Sequence, residues 1–554
     1  SLDDLTTPDD VQASQQDVRN RVARILDSMP DGPDRDQAIS DLLFDDAERS
    51  PKQILEAGKR TGNRFVLQLE GAGRGNAKTL SSILSGDKVA FNSAGKPLPV
   101  PITHGYAQGQ SMSEYLAGAY EGRSGIIGTK LSVASSGYLS KLLTQAGHRA
   151  LTVADDDDSP VGHDRGLLVD VDDDENIGSL LAKQYGPYPK DTIITPKVLA
   201  GLKRIGKLDK IVVRSPVASS SLDGGVYAKD LGIREYGRLP LVGEHVGLPA
   251  AQAIGEKITQ GSLGSKHGSG SVKKKRTPGL AGFDLMERLA NPPQESSGMA
   301  VHAEQDGRVT EIRPAPQGGQ YVLIGDREHY VSPEFDITVR PGDTLEAGEP
   351  LTDGIQDPAQ VARLRGLGEG RRVLVESMQR GLKEYGIPVA RRNLELLARG
   401  LYDRVEIEEE FDEFLPGDVV PYGRLEKLYR PRQDSRAVDT GEAIGNYLEI
   451  PTLHHTIGTR ITPRIRTQLD QAGIKRVTVN QNPPPFRPRV TRAQDLLQSD
   501  PDWMTRFMGS HLQTGWLDSI TRAGESDENS TSFVPVRASG INLTKSKFVI
   551  GNQP

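Results

Sequence analysis

Gly243-Glu244-His245-Val246-Gly247-Leu248-Pro249-Ala250-Ala251-Gln252-Ala253-Ile254-Gly255-Glu256, followed by Thr259-Gln260 and a histidine at His267, is the stretch on which the reading of this chain turns. Small residues at this density suit a helix that approaches a neighbour closely, and the Gly/Ser/Lys run behind it predicts a mobile loop. His267 falls in that loop, where no buried core role is expected. With an ordinary pKa near 6.5, an imidazole there can hold or donate a proton at neutral pH.

Upstream, residues 113–148 contain no proline and read as one helix carrying Gly118, Gly122, Gly125, Gly128 and Gly137. A helix of roughly 30 residues reaches about 45 Å, enough to cross a cleft. Each interior glycine costs on the order of 1 kcal/mol, so such a helix needs support from its surroundings. Residues 1–60 read as a helical lead-in, 64–69 as a strand, and Gly71-Ala72-Gly73-Arg74-Gly75 as a turn opening a helix over 76–84. That turn matches neither the dinucleotide nor the Walker pattern. The acidic runs 155–158 and 170–175 read as solvated loops, and residues 300–355 as strands and turns. Helices are expected over 358–384 and 389–401 and an extended segment over 482–488, with no internal repeat evident and a polar, mobile tail beyond 524.

At 554 residues the chain should form three or four packed units, and 36% hydrophobic residues with 60 glycines suffice for real cores. A formal charge of −7 excludes a protein that coats nucleic acid by bulk electrostatics, so such contacts must be local. Zero cysteines exclude disulfides, thiol nucleophiles and cysteine-based zinc sites. No apolar run approaches the ~20 residues of a membrane span.

Several separated pieces, in order, resemble the C-terminal half of the largest subunit of multisubunit DNA-dependent RNA polymerases, called β′ in bacteria. Gly71-Ala72-Gly73-Arg74-Gly75, Pro101-Ile102 and Gly109 resemble the region ahead of the bridge helix. Glu114-Tyr115 through Leu143 resembles the bridge helix, with Arg123, Gly125, Thr129, Leu131, Ala134, Ser136-Gly137-Tyr138-Leu139 and Leu143 in register. Val213-Arg214-Ser215 precedes the opening stretch, which resembles the trigger loop. Leu364-Arg365-Gly366-Leu367, Gly386-Ile387 and Phe414-Leu415-Pro416-Gly417-Asp418 resemble elements leading to the clamp base.

The resemblance implies an α+β, multi-domain chain, mainly helical, with a long bridge helix, a trigger-loop helical hairpin and small β-rich modules. Its expected divisions are a helical lead-in (1–62), a pre-bridge region (63–111), the bridge helix (112–151) and a zinc-less clamp-side module (152–240). The trigger loop and its helices (241–295), a β-rich module (296–356), C-terminal helices and clamp base (357–430) and a divergent region (431–554) follow. Nucleotidyl transfer in the family needs two magnesium ions, but the Asp-x-Asp-x-Asp loop that binds the catalytic one is missing here. The chain is therefore expected to be inactive alone and metal-free, with Mg2+ held by a companion N-terminal β′-type chain. Further expected partners are β-type subunits, DNA template, RNA transcript, nucleoside triphosphates and a promoter-specificity factor, with no membrane.

By register, His267 falls on the histidine that contacts the β-phosphate, Leu263 on a methionine that packs on the substrate base, Gly264 on an arginine and Lys266 on an aromatic residue. Arg123, Thr129, Val133, Ala134, Gly137, Tyr138 and Lys141 fall on nucleic-acid-facing positions of the bridge helix, and Gln252 and Gln260 on the trigger helix. Four cysteines hold a structural zinc in the bacterial subunits; the corresponding places here are Asp158, Ser219, Tyr227 and Asp230. Zinc is expected to be absent and the module to be held by packing alone. These departures resemble the split polymerase subunits of large tailed bacteriophages, which implies work in the host cytoplasm, with or without packaging in the virion. The competing expectation is a non-catalytic polymerase-like protein that binds and regulates the host enzyme.

Overall fold

The computed structural model describes residues 2–71, 77–90, 97–106, 108–157, 165–206, 208–234, 237–267, 282–292, 298–384, 387–497, 500, 503, 505–507 and 510. Two compact units divide the chain, Ser1–Gly137 with Thr259–Arg276, and Tyr138–Ile258 with Thr277–Pro554. The loop tip Lys273-Lys274-Lys275-Arg276 and the tail beyond 524 lie outside the described residues. No helix among the described residues is long and apolar enough to cross a membrane.

The first unit begins with α1 (Asp9–Ser28), α2 (Pro33–Thr61), α3 (Arg64–Glu70) and α4 (Ala77–Ser85). Val18, Val22, Ile39, Leu42 and Leu43 form the α1/α2 core, and Val11, Ile54, Ala57, Val66, Leu80 and Leu84 a second one. α3 corrects the strand expected over 64–69. Asn63 caps this helix, its side-chain oxygen accepting from the backbone N–H groups of Phe65 (3.0 Å) and Val66 (3.3 Å). Val66 is buried while Phe65 and Leu67 stay exposed, so the apolar residues have no sheet to join.

α5 (Met112–Gly147) is the long helix expected over 113–148. Its first turn is fastened by Glu114, whose carboxylate accepts from the backbone of Thr103 (2.7 Å), His104 (3.1 Å) and Ser111 (2.9 Å). Burial opposes ionisation of Glu114, yet these bonds and the His104 imidazole hold its pKa down at about 2.

The second unit starts with the last turns of α5 and continues through β1 (Thr152–Ala154), β2 (Leu167–Asp170), α6 (Pro196–Leu202), β3 (Lys210–Val213), β4 (Val226–Tyr227), α7 (Ala228–Leu231) and α8 (Gly247–His267), the last as far as Ile258. After α9 (Gly282–Ala290), the strands β5 (Gly307–Pro314), β6 (Gln320–Ile324), β7 (Arg327–Val331) and β8 (Thr344–Leu345) form one antiparallel sheet in the order β7-β6-β5-β8. Then come α10 (Pro358–Arg365), α11 (Leu367–Glu384), α12 (Arg391–Leu401), β9 (Arg404–Ile407), β10 (Val419–Pro421) and α13 (Tyr422–Leu428). The single helix expected over 358–384 is broken at Gly366, whose φ of 92° ends α10. β11 (Arg436–Asp439), β12 (Tyr447–Leu448), α14 (Pro463–Gln471), β13 (Arg476–Asn480) and β14 (Phe486–Arg489) complete the unit. β14, from the proline-rich segment, pairs with β9. The architecture is α+β with several small sheets, as expected.

The second unit contains an internal repeat that sequence inspection missed. Ile177-Gly178, Leu181, Ile194-Thr195-Pro196, Leu202 and Gly206 recur at one fixed spacing as Ile444-Gly445, Leu448, Ile461-Thr462-Pro463, Leu469 and Gly473. The backbone repeats with them. Gly178 N–H bonds the Ile194 carbonyl at 2.7 Å and Gly445 N–H that of Ile461 at 2.8 Å; Ile194 N–H bonds Ser179 and Ile461 N–H bonds Asn446, both at 2.8 Å. Thr195 and Thr462 each cap a helix that begins with proline, α6 and α14. The antiparallel ladder β2/β3, which pairs Asp170 with Lys210, returns as β11/β13, which pairs Asp439 with Arg476. Even the left-handed turn recurs, at Gly186 (φ 55°) and Leu453 (φ 55°). The two copies share a core in which Ala182 and Val212 of the first meet Leu448, Leu453, Ile461 and Leu469 of the second.

Candidate functional site

The end of α5 and the start of α8 pack against each other within the second unit. Leu139, Leu142, Leu143 and Ala146 of α5 share a core with Ala251, Ile254 and Ile258 of α8. Glycines permit the approach: a Cβ on Gly147 would collide with the Gly247 backbone, one on Gly247 with that of Gly147, and one on Gly255 with Ser140. The Gly/Ala pattern of the opening stretch thus has a physical partner. His245 joins the same junction, one ring nitrogen 3.0 Å from the His148 carbonyl and the other accepting from the Leu248 N–H at 3.2 Å.

On the outer side of this pair, Tyr138 and Lys141 of α5 and Gln252 of α8 are exposed. Tyr138 and Lys141 stand three residues apart, on one face of the helix. Arg123, Thr129, Val133, Ala134 and Gly137 lie on the stretch of α5 that belongs to the first unit, with Arg123 and Gly137 exposed. Gln260, Leu263, Lys266 and His267 lie on the last turns of α8, also in the first unit. His267 therefore ends a helix, which corrects its expected place in the loop. The side chains of Thr129, Val133, Ala134, Gln260, Leu263, Lys266 and His267 lie outside the described residues.

An ionic cluster takes in Asp230, one of the four places that the resemblance assigns to the zinc cysteines. Arg214 donates to Asp191 (2.7 Å), to both carboxylate oxygens of Asp156 (2.7 and 3.0 Å) and to Asp230 (3.3 Å). Lys229 bonds Asp156 and Asp191, each at 2.9 Å, and Lys427 bonds Asp157 at 3.1 Å. Ser219, Tyr227 and Leu231 are buried around it; Asp158 lies outside the described residues. Burial opposes the charge on Asp156, but hydrogen bonds from Arg214 and Lys229 hold its pKa at about 2. Asp230, whose side chain is 13% exposed, is pushed up by desolvation, which Arg214 only partly counters. The expectation of packing alone is thus corrected: the module is tied by buried and half-buried charge.

The acidic runs are corrected only in part, since Asp155, Asp170, Asp172 and Asp174 are exposed as expected. Asp156 and Asp157 belong to that cluster, while Asp173 and Glu175 hold Arg391 at the start of α12, the Arg391 N–H lying 3.0 Å from Glu175. Arg392 donates to the carbonyls of Ile177, Gly178, Leu231 and Ile233, and Arg399 to those of Gly225 and Ser221. Sequence reasoning missed these arginines because their partners lie more than a hundred positions away. The helical spacing of Arg392, Glu395 and Arg399, three and then four residues apart among buried leucines, was the only local signal.

Residues 109–315, which hold α5, the first repeat, the ionic cluster and α8, match the family model described as RNA polymerase Rpb1, domain 5. The chain is also similar to part of a DNA-directed RNA polymerase subunit β′. It is 27% identical over 412 residues to the subunits of Staphylococcus epidermidis and Staphylococcus aureus, across 70% of this chain and 33% of each relative. The chain thus spans about a third of the length of the curated relatives it matches.

Proposed function

We propose that this chain supplies the bridge-helix and trigger-loop part of a multisubunit DNA-directed RNA polymerase, as a C-terminal β′-type subunit. The observation that carries the reading is the glycine-notched packing of α5 on α8 inside the stretch that matches Rpb1 domain 5. In this reading α5 is the bridge helix, with Arg123, Thr129, Val133, Ala134, Gly137, Tyr138 and Lys141 along template DNA and transcript. α8 is the first trigger helix, Gln252 and Gln260 on its length and Leu263, Lys266 and His267 at the nucleoside triphosphate. His267 serves as a proton or hydrogen-bond donor to the departing phosphate, a contribution of about 10²–10⁴-fold.

Two-metal phosphoryl chemistry needs clustered, open carboxylates for Mg2+. Asp156, Asp157, Asp173 and Glu175 are instead committed to arginine or lysine. The metal carboxylates are therefore assigned to a companion N-terminal β′-type chain, and this chain is inactive alone. β-type subunits and a promoter-specificity factor complete the enzyme. The cysteine-free module favours a source among large tailed phages, with action in the host cytoplasm or from the virion.

The test is extension of a primed template by the chain co-purified with its companions. Extension that falls at least tenfold with His267→Ala, and is absent from the chain alone, supports the proposal. Unchanged extension by His267→Ala refutes the trigger role. Tight binding to a host polymerase without extension would favour a regulatory protein instead.

A further inference from the structure

Glu369, His454 and His455 meet in the interior of the second unit, each at most 3% exposed. One ligand atom from each lies within 4.8 Å of the other two. Glu369 opens α11, and its carboxylate accepts from Arg372 Nε (3.0 Å), from the Arg372 terminal nitrogen (2.7 Å) and from His454 Nε2 (2.9 Å). His455 Nε2 faces Gln468 Oε1 at 2.9 Å, and the two imidazole centroids are 4.2 Å apart.

These bonds fix both tautomers. An ionised carboxylate and an amide oxygen only accept, so both Nε2 atoms carry hydrogen and both Nδ1 atoms present a lone pair. Neither Nδ1 has any hydrogen-bond partner. Two bare acceptors buried side by side are costly unless a cation or donor meets them.

The place is also built for close approach, since a Cβ on Gly368 would collide with the His454 carbonyl. In the first copy of the repeat the equivalent turn carries Pro187 and Tyr188, which offer no such ligands.

We propose that Glu369, His454 and His455 bind one divalent transition-metal ion of the Zn2+, Co2+ or Ni2+ class, which ties the second repeat to α11. Two imidazoles and one carboxylate suit these borderline ions, whereas Mg2+ and Ca2+ take oxygen ligands. Gln468 on the far nitrogen of His455 and Arg372 on Glu369 are the supporting contacts that orient ligands at such sites. This ion is independent of the Mg2+ of nucleotidyl transfer and of the places assigned to the zinc cysteines, Asp158, Ser219, Tyr227 and Asp230. It also departs from the metal-free chain expected from sequence.

The experiment uses the full-length, untagged chain, equilibrated with Zn2+ or Co2+ and freed of excess ion. Metal content by plasma mass spectrometry and the visible absorption of bound Co2+ are read for the parent and for Glu369→Gln, His454→Gln and Gln468→Ala. About one ion per chain in the parent is expected, with affinity at least ~10-fold weaker in each variant. Because a variant can misfold, X-ray absorption at the metal edge of the parent gives a second readout, expected to report two imidazole nitrogens and carboxylate oxygen. A parent that retains no ion, a first shell without imidazole, or folded variants that hold the ion as tightly as the parent would each overturn the proposal.

Discussion

Glu114 shows how much one carboxylate can organise. It gathers the N–H groups of Thr103, His104 and Ser111 onto the first turn of α5, and its folded pKa of about 2 lies below the unfolded value near 4.3. The sign follows directly: its stabilisation is complete above pH ~4.3 and fades as pH falls toward 2. Glu114→Gln should cost roughly 2 kcal/mol at neutral pH and flatten the acid limb of the unfolding curve, which urea titrations at pH 3 and pH 7 would reveal. Equal midpoint shifts at the two pH values would contradict this. Arg214 is a stronger case, because Arg214→Ala would leave Asp230 without its guanidinium and Asp156 and Asp191 with Lys229 alone. A loss of about 3–5 kcal/mol is expected, with Arg214→Lys recovering only part because a lysine lacks the planar fork. Thermal unfolding of the two variants beside the parent measures it.

At the scale of elements, the junction of α5 and α8 depends on having no side chain at Gly147, Gly247 and Gly255. Gly247→Val should separate the two helices and lower the melting temperature, whereas Gly118→Ala, where a Cβ meets nothing within 4 Å, should be neutral or slightly stabilising. The long helix α5 was legible because its pattern runs without proline, and α8 because its small residues are contiguous. α3 was misread for a physical reason: Phe65, Leu67 and Leu69 alternate like a strand, and only the Asn63 cap and the absence of a pairing edge make the segment helical. The place of His267 was misjudged because a Gly/Ser-rich run looks like loop, although α8 extends as far as His267.

At the scale of the whole chain, contacts distant in sequence escaped a linear reading. The acidic runs looked solvated because Arg214, Lys427 and Arg391 arrive from remote segments. The Glu369, His454 and His455 group was invisible for the same reason, its carboxylate lying on another element from its imidazoles. The repeat was present in plain sequence, in Ile194-Thr195-Pro196 and Ile461-Thr462-Pro463, but its identities are too dispersed to stand out without the matching hydrogen bonds.

Duplication also makes each copy a rival for the other's strands while the chain is still searching for its fold. β2 could anneal to β13, or β11 to β3, through the same antiparallel register, and a crossed pairing would be a kinetic trap. Proofreading falls to the positions where the copies differ. Arg214 and Asp191 can be neutralised only in the first copy, where Asp156 waits; Asn480 and Gly458 hold their places in the second. Arg214→Asn, which makes the first copy resemble the second, should therefore lower the yield of refolding more than the loss of equilibrium stability accounts for. Refolding from urea with size-exclusion analysis would expose the misassembled fraction. The charges of this cluster then have a second duty, telling one half of a duplicated unit from the other while the chain folds.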